Sequence, residues 1–345
     1  MGEATVDLKK HILTATLVLA MVFSTTFVSL PTSGAKAPFE YYVAGNSDDV
    51  VTKTSPGLLL AGGSTDVDAG MKWMIDKSGG GDFVVIRCAG TDAYNPWIYT
   101  DLGGVDSCET IITLSGEACY DNFVIQKIRN AEALFIAGGD QWNYVSMWRG
   151  TPVEDAIHYV ASKGAPVGGT SAGLAILGEY AFSAENDTIY TKNALKNPYD
   201  RRVTLVNDFL SLPKMDGKIT DSHFSARDRM GRLVTFLARI IQDGWATEAM
   251  GIGINEETAL GVESNGDVTL FGLSTTSAAY FLRTPGPPEI CQPKTPLTYL
   301  DISVYKISYD GTFNLATWEG MGGIAYTVSA EAEVVTSSQP SGEVY

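Results

Sequence analysis

Along most of this chain, continuous apolar runs that end in glycine alternate with helical patterns. Residues 57–63 read Gly-Leu-Leu-Leu-Ala-Gly-Gly, a buried strand followed by a turn, and residues 66–77 carry helical spacing. Residues 83–86 and 110–114 predict two further strands and 123–129 a second helix, while 133–139 repeats the strand-then-glycines pattern. Strands that are apolar throughout, rather than alternately, are covered on both faces, as in parallel sheets. The pattern therefore predicts an α/β fold: a doubly wound, mostly parallel sheet with flanking helices.

The next helix is well punctuated. Thr151 can cap it, Pro152 suits its first position, and Glu154 completes a T-x-x-E box. Val153, Ile157 and Val160 share a face, and Gly164 ends it. A strand over 165–168 leads into Gly169-Thr170-Ser171-Ala172-Gly173, and 172–180 reads as an apolar helix. Residues 183–216 look like a polar, irregular insertion. Strands resume at 251–254 and 268–271, with a Pro-rich loop over 284–296 and a hairpin predicted around Asp310-Gly311. No repeat and no interdomain linker is visible, so 38–330 reads as one domain and 331–345 as a frayed tail.

The N-terminus adds an address. Lys9, Lys10 and His11 precede an apolar run over 12–30, followed by Ala35-Lys36-Ala37, the order of a secretory leader spanning 1–37. The run is long enough that an uncleaved anchor stays open. The expectation is an exported protein, free of the membrane once the leader is cut. Four cysteines fit that compartment: Cys108 and Cys119 bracket a short segment a disulfide can close, with four buried thiols as the alternative. No Cys/His cluster suggests a metal. A net charge of −16 argues against nucleic acid as a partner.

The chemistry centres on Ser171. Its G-x-S-x-G frame between a buried strand and an apolar run is a tight turn that lifts the hydroxyl above the sheet. A serine needs a base, and the chain has three histidines. His11 lies in the leader and His158 mid-helix beside apolar neighbours, which leaves His223. After it, Ser225 can cap a helix with Asp228 as the box acid and Met230, Leu233, Val234, Leu237, Ile240 and Ile241 as its apolar face. Arg227, Arg229 and Arg232 crowd that helix start against its dipole, with Asp228 positioned to pair with Arg232; beside His223 they can grip a substrate carboxylate. The acid that orients the imidazole is Glu256, Glu257 or the local competitor Asp221, and spacing does not choose among them. Backbone N–H groups of the Gly138-Gly139-Asp140-Gln141 turn and of Ala172 can form an oxyanion hole.

These segments resemble a known family. Gly169-Thr170-Ser171-Ala172-Gly173, Asp221-Ser222-His223-Phe224-Ser225 with Arg227 to Arg232, and Gly251-Ile252-Gly253-Ile254-Asn255-Glu256 are similar to cyanophycinases, serine peptidases related to aspartyl dipeptidase. The similarity runs roughly over 58–271. It implies a class I glutamine amidotransferase-like fold, Ser171 as nucleophile, His223 as base and Glu256 as orienting acid. Gln141, Asp221, Arg227, Arg229 and Arg232 would contact substrate, and Gly139 and Ala172 would hold the oxyanion. It also implies hydrolysis of cyanophycin to β-aspartyl-arginine without metal or cofactor. The expected partners are cyanophycin or an aspartyl peptide and, at most, a second copy of the chain in a homodimer. Rival readings are an isoaspartyl or aspartyl dipeptidase and a catalytically silent secreted binding protein. Ser222 stands where the family pattern has glutamine, and the insertion after Ser171 is long and polar, which bears on substrate identity. Asn186-Asp187-Thr188 within it is a glycosylation sequon, meaningful in a eukaryotic host.

Overall fold

The apolar runs lie at the centre of a sheet with helices on both faces. A computed structural model describes residues 37–345; the leader reading over 1–37 lies, but for its last residue, outside the described residues. Five strands run parallel in the spatial order Ser107–Thr113, Asp82–Arg87, Ala133–Ile136, Val167–Thr170 and Gly57–Ala61. Alternate residues serve opposite cores. Leu58 and Leu60 join Val124, Ile128, Val153 and Ile157 of helices Asn122–Asn130 and Pro152–Ser162. Leu59 and Ala61 join Met71, Met74 and Ile75 of helix Asp68–Ser78. Neither face meets water, so neither carries polar alternation.

Antiparallel strands extend this block on both sides, Phe39–Gly45 at one edge and Thr258–Glu263, Asp267–Gly272, Thr312–Asn314 and Glu319–Met321 at the other. A second sheet, which the sequence pattern did not predict, orders Val334–Ser337, Ile324–Glu331, Tyr299–Ile307, Ala279–Arg283, Met250–Ile254 and Lys218–Asp221. Only its last pair is parallel. One face shares the core of the first sheet through Ile252, Ile254 and Phe281. The other is covered by helix Met230–Gln242, with Leu233, Val234, Leu237 and Ile240 buried.

Several expectations are corrected. The apolar run after Ser171 is only a 3-10 turn, Leu174–Ile176. Thr220 Oγ1 and Leu177 N–H both donate to the Leu174 carbonyl, at 2.6 and 3.0 Å, which takes up the acceptor that a continuing helix would use. Asp310-Gly311 is no hairpin: it passes the chain from Tyr299–Ile307 in the second sheet to Thr312–Asn314 in the first. The tail 331–345 is not frayed. Val334–Ser337 pairs with Ile324–Glu331, and Tyr345 docks against Asp228 and Met230. The helix after His223 starts at Met230 without a side-chain cap, so the Ser225–Asp228 box does not form. Thr151 occupies the cap position of its helix, but its hydroxyl donates to Trp148 O instead. All four cysteines are free and buried, so the Cys108–Cys119 disulfide does not form and the four-thiol alternative holds.

The two sheets meet through a stacked aromatic pair, Phe281 on Phe313, with centroids 3.8 Å apart and planes at 5°. Phe281→Ala should cost about 3–5 kcal/mol, read as a lower urea midpoint in a single transition. Two separated transitions would show that the sheets do not share one cooperative core.

Candidate active site

The carboxyl ends of strands from both sheets converge at one cleft. Val167–Thr170 delivers Ser171 from the first sheet, while Lys218–Asp221 delivers His223 and Met250–Ile254 delivers Glu256 from the second. A third strand end ties them together. The consecutive carbonyls of Ala61, Gly62 and Gly63 accept the backbone N–H groups of Ser171 at 3.1 Å, His223 at 2.8 Å and Glu257 at 3.0 Å. Both glycines are needed on steric grounds. A Cβ on Gly62 would lie 1.9 Å from Asn255 O, and one on Gly63 would lie 2.6 Å from His223 Nε2 and 2.9 Å from Ser171 Cβ. Sequence reading took Gly62-Gly63 for a turn and missed this role; the signal was the same paired glycine, after a buried strand, that marked Gly138-Gly139.

So held, Ser171 Oγ lies 2.8 Å from His223 Nε2, and His223 Nδ1 lies 2.6 Å from Glu256 Oε1. Glu256 accepts the Nδ1 proton, which leaves the Nε2 lone pair of the neutral ring facing the serine hydroxyl. Ser171 and His223 both sit at positive φ, 53° and 46°. Such conformations cost on the order of 1–3 kcal/mol each and persist only where the surroundings fix them. His223 is buried, and burial is the largest influence lowering its pKa below the usual imidazole value. The Glu256 hydrogen bond opposes that shift, and the charges of Arg227 and Arg229 reinforce it. The imidazole is therefore neutral at neutral pH, as a proton acceptor must be.

The cleft has a volume of about 290 Å³. One wall carries Arg227, Arg229 and Arg232; Gly139, Asp140 and Gln141 form another; Asp187, Thr188, Ile189 and Tyr190 of the insertion close it. The insertion, expected to be irregular and to bear on substrate identity, holds a short helix, Thr191–Lys196, and a strand, Leu205–Val206, and supplies this wall. Arg227 is half exposed, with its Nε 3.7 Å from Glu256 Oε1. Burial brings Arg229 down to about 10, still charged at neutral pH. Gln141 opens helix Gln141–Trp148, which Asp140 caps by accepting from Trp142 N–H at 3.0 Å. The N–H groups of Gly139 and Ala172 make no hydrogen bond to protein among the described residues, and both residues line the cleft beside Ser171.

Two expected contacts change role. Asp221 does not face the cleft: it is buried, accepting from Arg232 Nε at 2.7 Å and Arg229 Nη1 at 3.3 Å, and serves as counter-ion to the arginine wall. That pairing also removes Asp221 as orienting acid and leaves no Asp228–Arg232 pair. Glu257 is excluded as well, because the contact to His223 Nδ1 is made by Glu256 Oε1. His158 is structural, its Nε2 accepting from Ser211 N–H at 2.9 Å. Ser222 lines the cleft with its hydroxyl 3.2 Å from Arg229 Nη1.

Residues 110–269, the stretch that holds Ser171, His223 and Glu256, match peptidase family S51. The chain is 25% identical over 220 residues to a cyanophycinase of Trichormus variabilis, covering 61% of this chain and 66% of the relative. A cyanophycinase of Geminocystis herdmanii is 27% identical over 151 residues, covering 44% of this chain and 50% of the relative. The match thus spans two thirds or less of these relatives' length. A solved peptidase from an acI-B1 Actinobacterium superposes with a TM-score of 0.46 at 17% identity, over 66% of this chain and 91% of that one.

Two measurements check the site. Gly63→Ala should slow labelling of Ser171 by a small neutral sulfonyl fluoride about 10²-fold, the usual consequence of roughly 1 Å of misplacement; an unchanged rate would mean the glycine is not needed there. The pH profile of the same labelling should have its acid limb below the ordinary imidazole value of 6.5, because the reaction needs neutral His223 and its pKa is lowered. Arg227→Gln removes a repelling charge and should move that limb upward; a downward move would contradict the assignment.

Proposed function

We propose that this chain is a serine-type peptidase that hydrolyses aspartyl-linked amides, with cyanophycin or a related β-aspartyl peptide as substrate. The observation that carries the reading is the continuous hydrogen-bonded line Ser171–His223–Glu256 opening into a cleft walled by arginines. Three guanidiniums beside the nucleophile suit a substrate rich in carboxylates, since arginine binds them through paired hydrogen bonds.

In the proposed reaction Ser171 Oγ attacks the amide carbonyl carbon while its proton passes to His223 Nε2. The carbonyl π electrons move onto oxygen, and the oxyanion takes hydrogen bonds from the N–H groups of Gly139 and Ala172. Collapse breaks the carbon–nitrogen bond, and His223 gives its proton to the leaving amine. Water then repeats the sequence on the acyl-serine and releases the acid. Glu256 keeps the ring in the productive tautomer and balances its transient charge. Gln141, Arg227, Arg229 and Arg232 hold the substrate, and Asp221 holds the arginines.

Export belongs to the same proposal and rests on the leader-like order of residues 1–37, because the cysteines, as free thiols, do not speak for an oxidising compartment. Among the described residues no helix is long and apolar enough to cross a membrane.

Ser171→Ala should lower turnover at least about 10³-fold while leaving the unfolding transition in place; near-normal activity would refute the nucleophile. A panel of β-Asp-Arg polymer, β-Asp-Lys polymer and short aspartyl peptides separates a cyanophycinase from a dipeptidase. Failure of every substrate and every serine-directed probe would favour a silent binding protein.

A further inference from the structure

We propose that Tyr345 is a positioning residue for this reaction, setting the arginine wall from outside the cleft; the proposal rests on the reading of Ser171 and His223 as the reacting pair. The segment between His223 and Arg232 is fixed firmly at its start. His223 N–H donates to Gly62 O, Phe224 N–H to Ile254 O at 3.1 Å, and Ser225 N–H to Asn255 Oδ1 at 3.1 Å. Beyond that, local turns carry it, Arg227 N–H donating to His223 O at 3.1 Å and Arg229 N–H to Phe224 O at 3.0 Å. Helix Met230–Gln242 has no side-chain cap of its own, and Asp228 just before it stands at a φ of 47°. A helix start of this kind leaves N–H donors without partners.

Tyr345, more than a hundred residues away, supplies what is missing. Its phenol oxygen accepts from Met230 N–H at 2.9 Å and its hydroxyl donates to Asp228 Oδ1 at 3.0 Å. One side chain thus joins the residue after Arg227 to the first residue of the helix that bears Arg232. Its ring sits edge-on to Phe224, the neighbour of His223, at 5.7 Å, and edge-on to Tyr280 at 5.8 Å. Val344 is held in turn, its carbonyl accepting from Tyr326 hydroxyl at 2.9 Å. Thr191 ties the same stretch to the insertion, donating to Asp228 O and accepting from Arg232 N–H. Tyr345 does not line the cleft. Its effect therefore passes through the backbone that carries Arg227, Arg229 and Arg232, and should fall on recognition of anionic substrate groups more than on the Ser171–His223 pair.

The test compares the rates at which Ser171 is labelled by two sulfonyl fluorides, neutral phenylmethylsulfonyl fluoride and 4-(fluorosulfonyl)benzoic acid, which bears a carboxylate. In the native chain the arginine wall should favour the anionic probe. Tyr345→Phe keeps the ring and loses the hydroxyl; it should reduce that preference about fivefold, the worth of about one hydrogen bond, with the neutral rate unchanged. Asp228→Asn weakens the same bridge from its other end and should act in the same direction, the double variant adding little to either single one. A merely structural role would slow both probes in proportion. An unchanged ratio in Tyr345→Phe and Asp228→Asn, with the native chain labelled, would overturn the positioning role alone. No labelling of the native chain by either probe would overturn the nucleophile reading and this proposal with it.

Discussion

Everything in the cleft depends on the carbonyls of Ala61, Gly62 and Gly63. Three successive acceptors at the end of one strand fix the backbone beside the hydroxyl, the imidazole and the carboxylate, drawn from two different sheets. Backbone hydrogen bonds cannot be moved by a rotamer change, so the three side chains inherit a spacing that is set by main chain alone. Two residues of that hub are glycines, and modest additions there would reach Asn255 O, His223 and Ser171. This is also why the strained φ of Ser171 and His223 is tolerable: each lies between bonds that over-determine it.

Electrostatics follow from the same packing. A buried imidazole flanked by guanidiniums is disposed to lose its proton, and Glu256 restrains rather than reverses that tendency. Buried arginines would be costly without a partner. Asp221 answers Arg232 and Arg229 from beneath, Thr188, Ile189 and Ser222 take further donors of the pair, and the exposed Arg227 is left to the cleft. The wall thus keeps a net positive character beside the nucleophile, although the chain as a whole is strongly acidic. Overall charge would have suggested the opposite sign of ligand; the local arrangement decides it.

Much of this was legible in the sequence, and the division is physical. The parallel strands could be read because burial on both faces leaves an unbroken apolar signal. The serine turn and the histidine could be read because tight glycine turns and scarce residue types stand out. The choice of Glu256 over Glu257 and Asp221 needed the resemblance, and the coordinates separate them by the 2.6 Å contact to His223 Nδ1. The second sheet escaped as a sheet: strands such as Met250–Ile254 could be read singly, but nothing in the sequence says which of them pair. Its partners are far apart in the chain. The packing of Tyr345 escaped for the same reason: a polar C-terminal stretch reads as solvated until a distant helix start offers it bonds.

The missing helix after Ser171 alters how an oxyanion in the proposed reaction would be stabilised. A full helix there would aim its positive end at the nucleophile, and the apolar run suggested one. The chain makes a single 3-10 turn instead, because the Leu174 carbonyl is taken by Thr220. The dipole of one short turn is small, so charge stabilisation must come from discrete donors placed at the right distance. Ala172 and Gly139 beside Ser171 have N–H groups without protein acceptors among the described residues. Their strand ends, Val167–Thr170 and Ala133–Ile136, are neighbours in the parallel sheet. The register of that pair therefore sets the donor spacing, which makes the proposed oxyanion site a property of the first sheet, while the proposed base and its acid belong to the second.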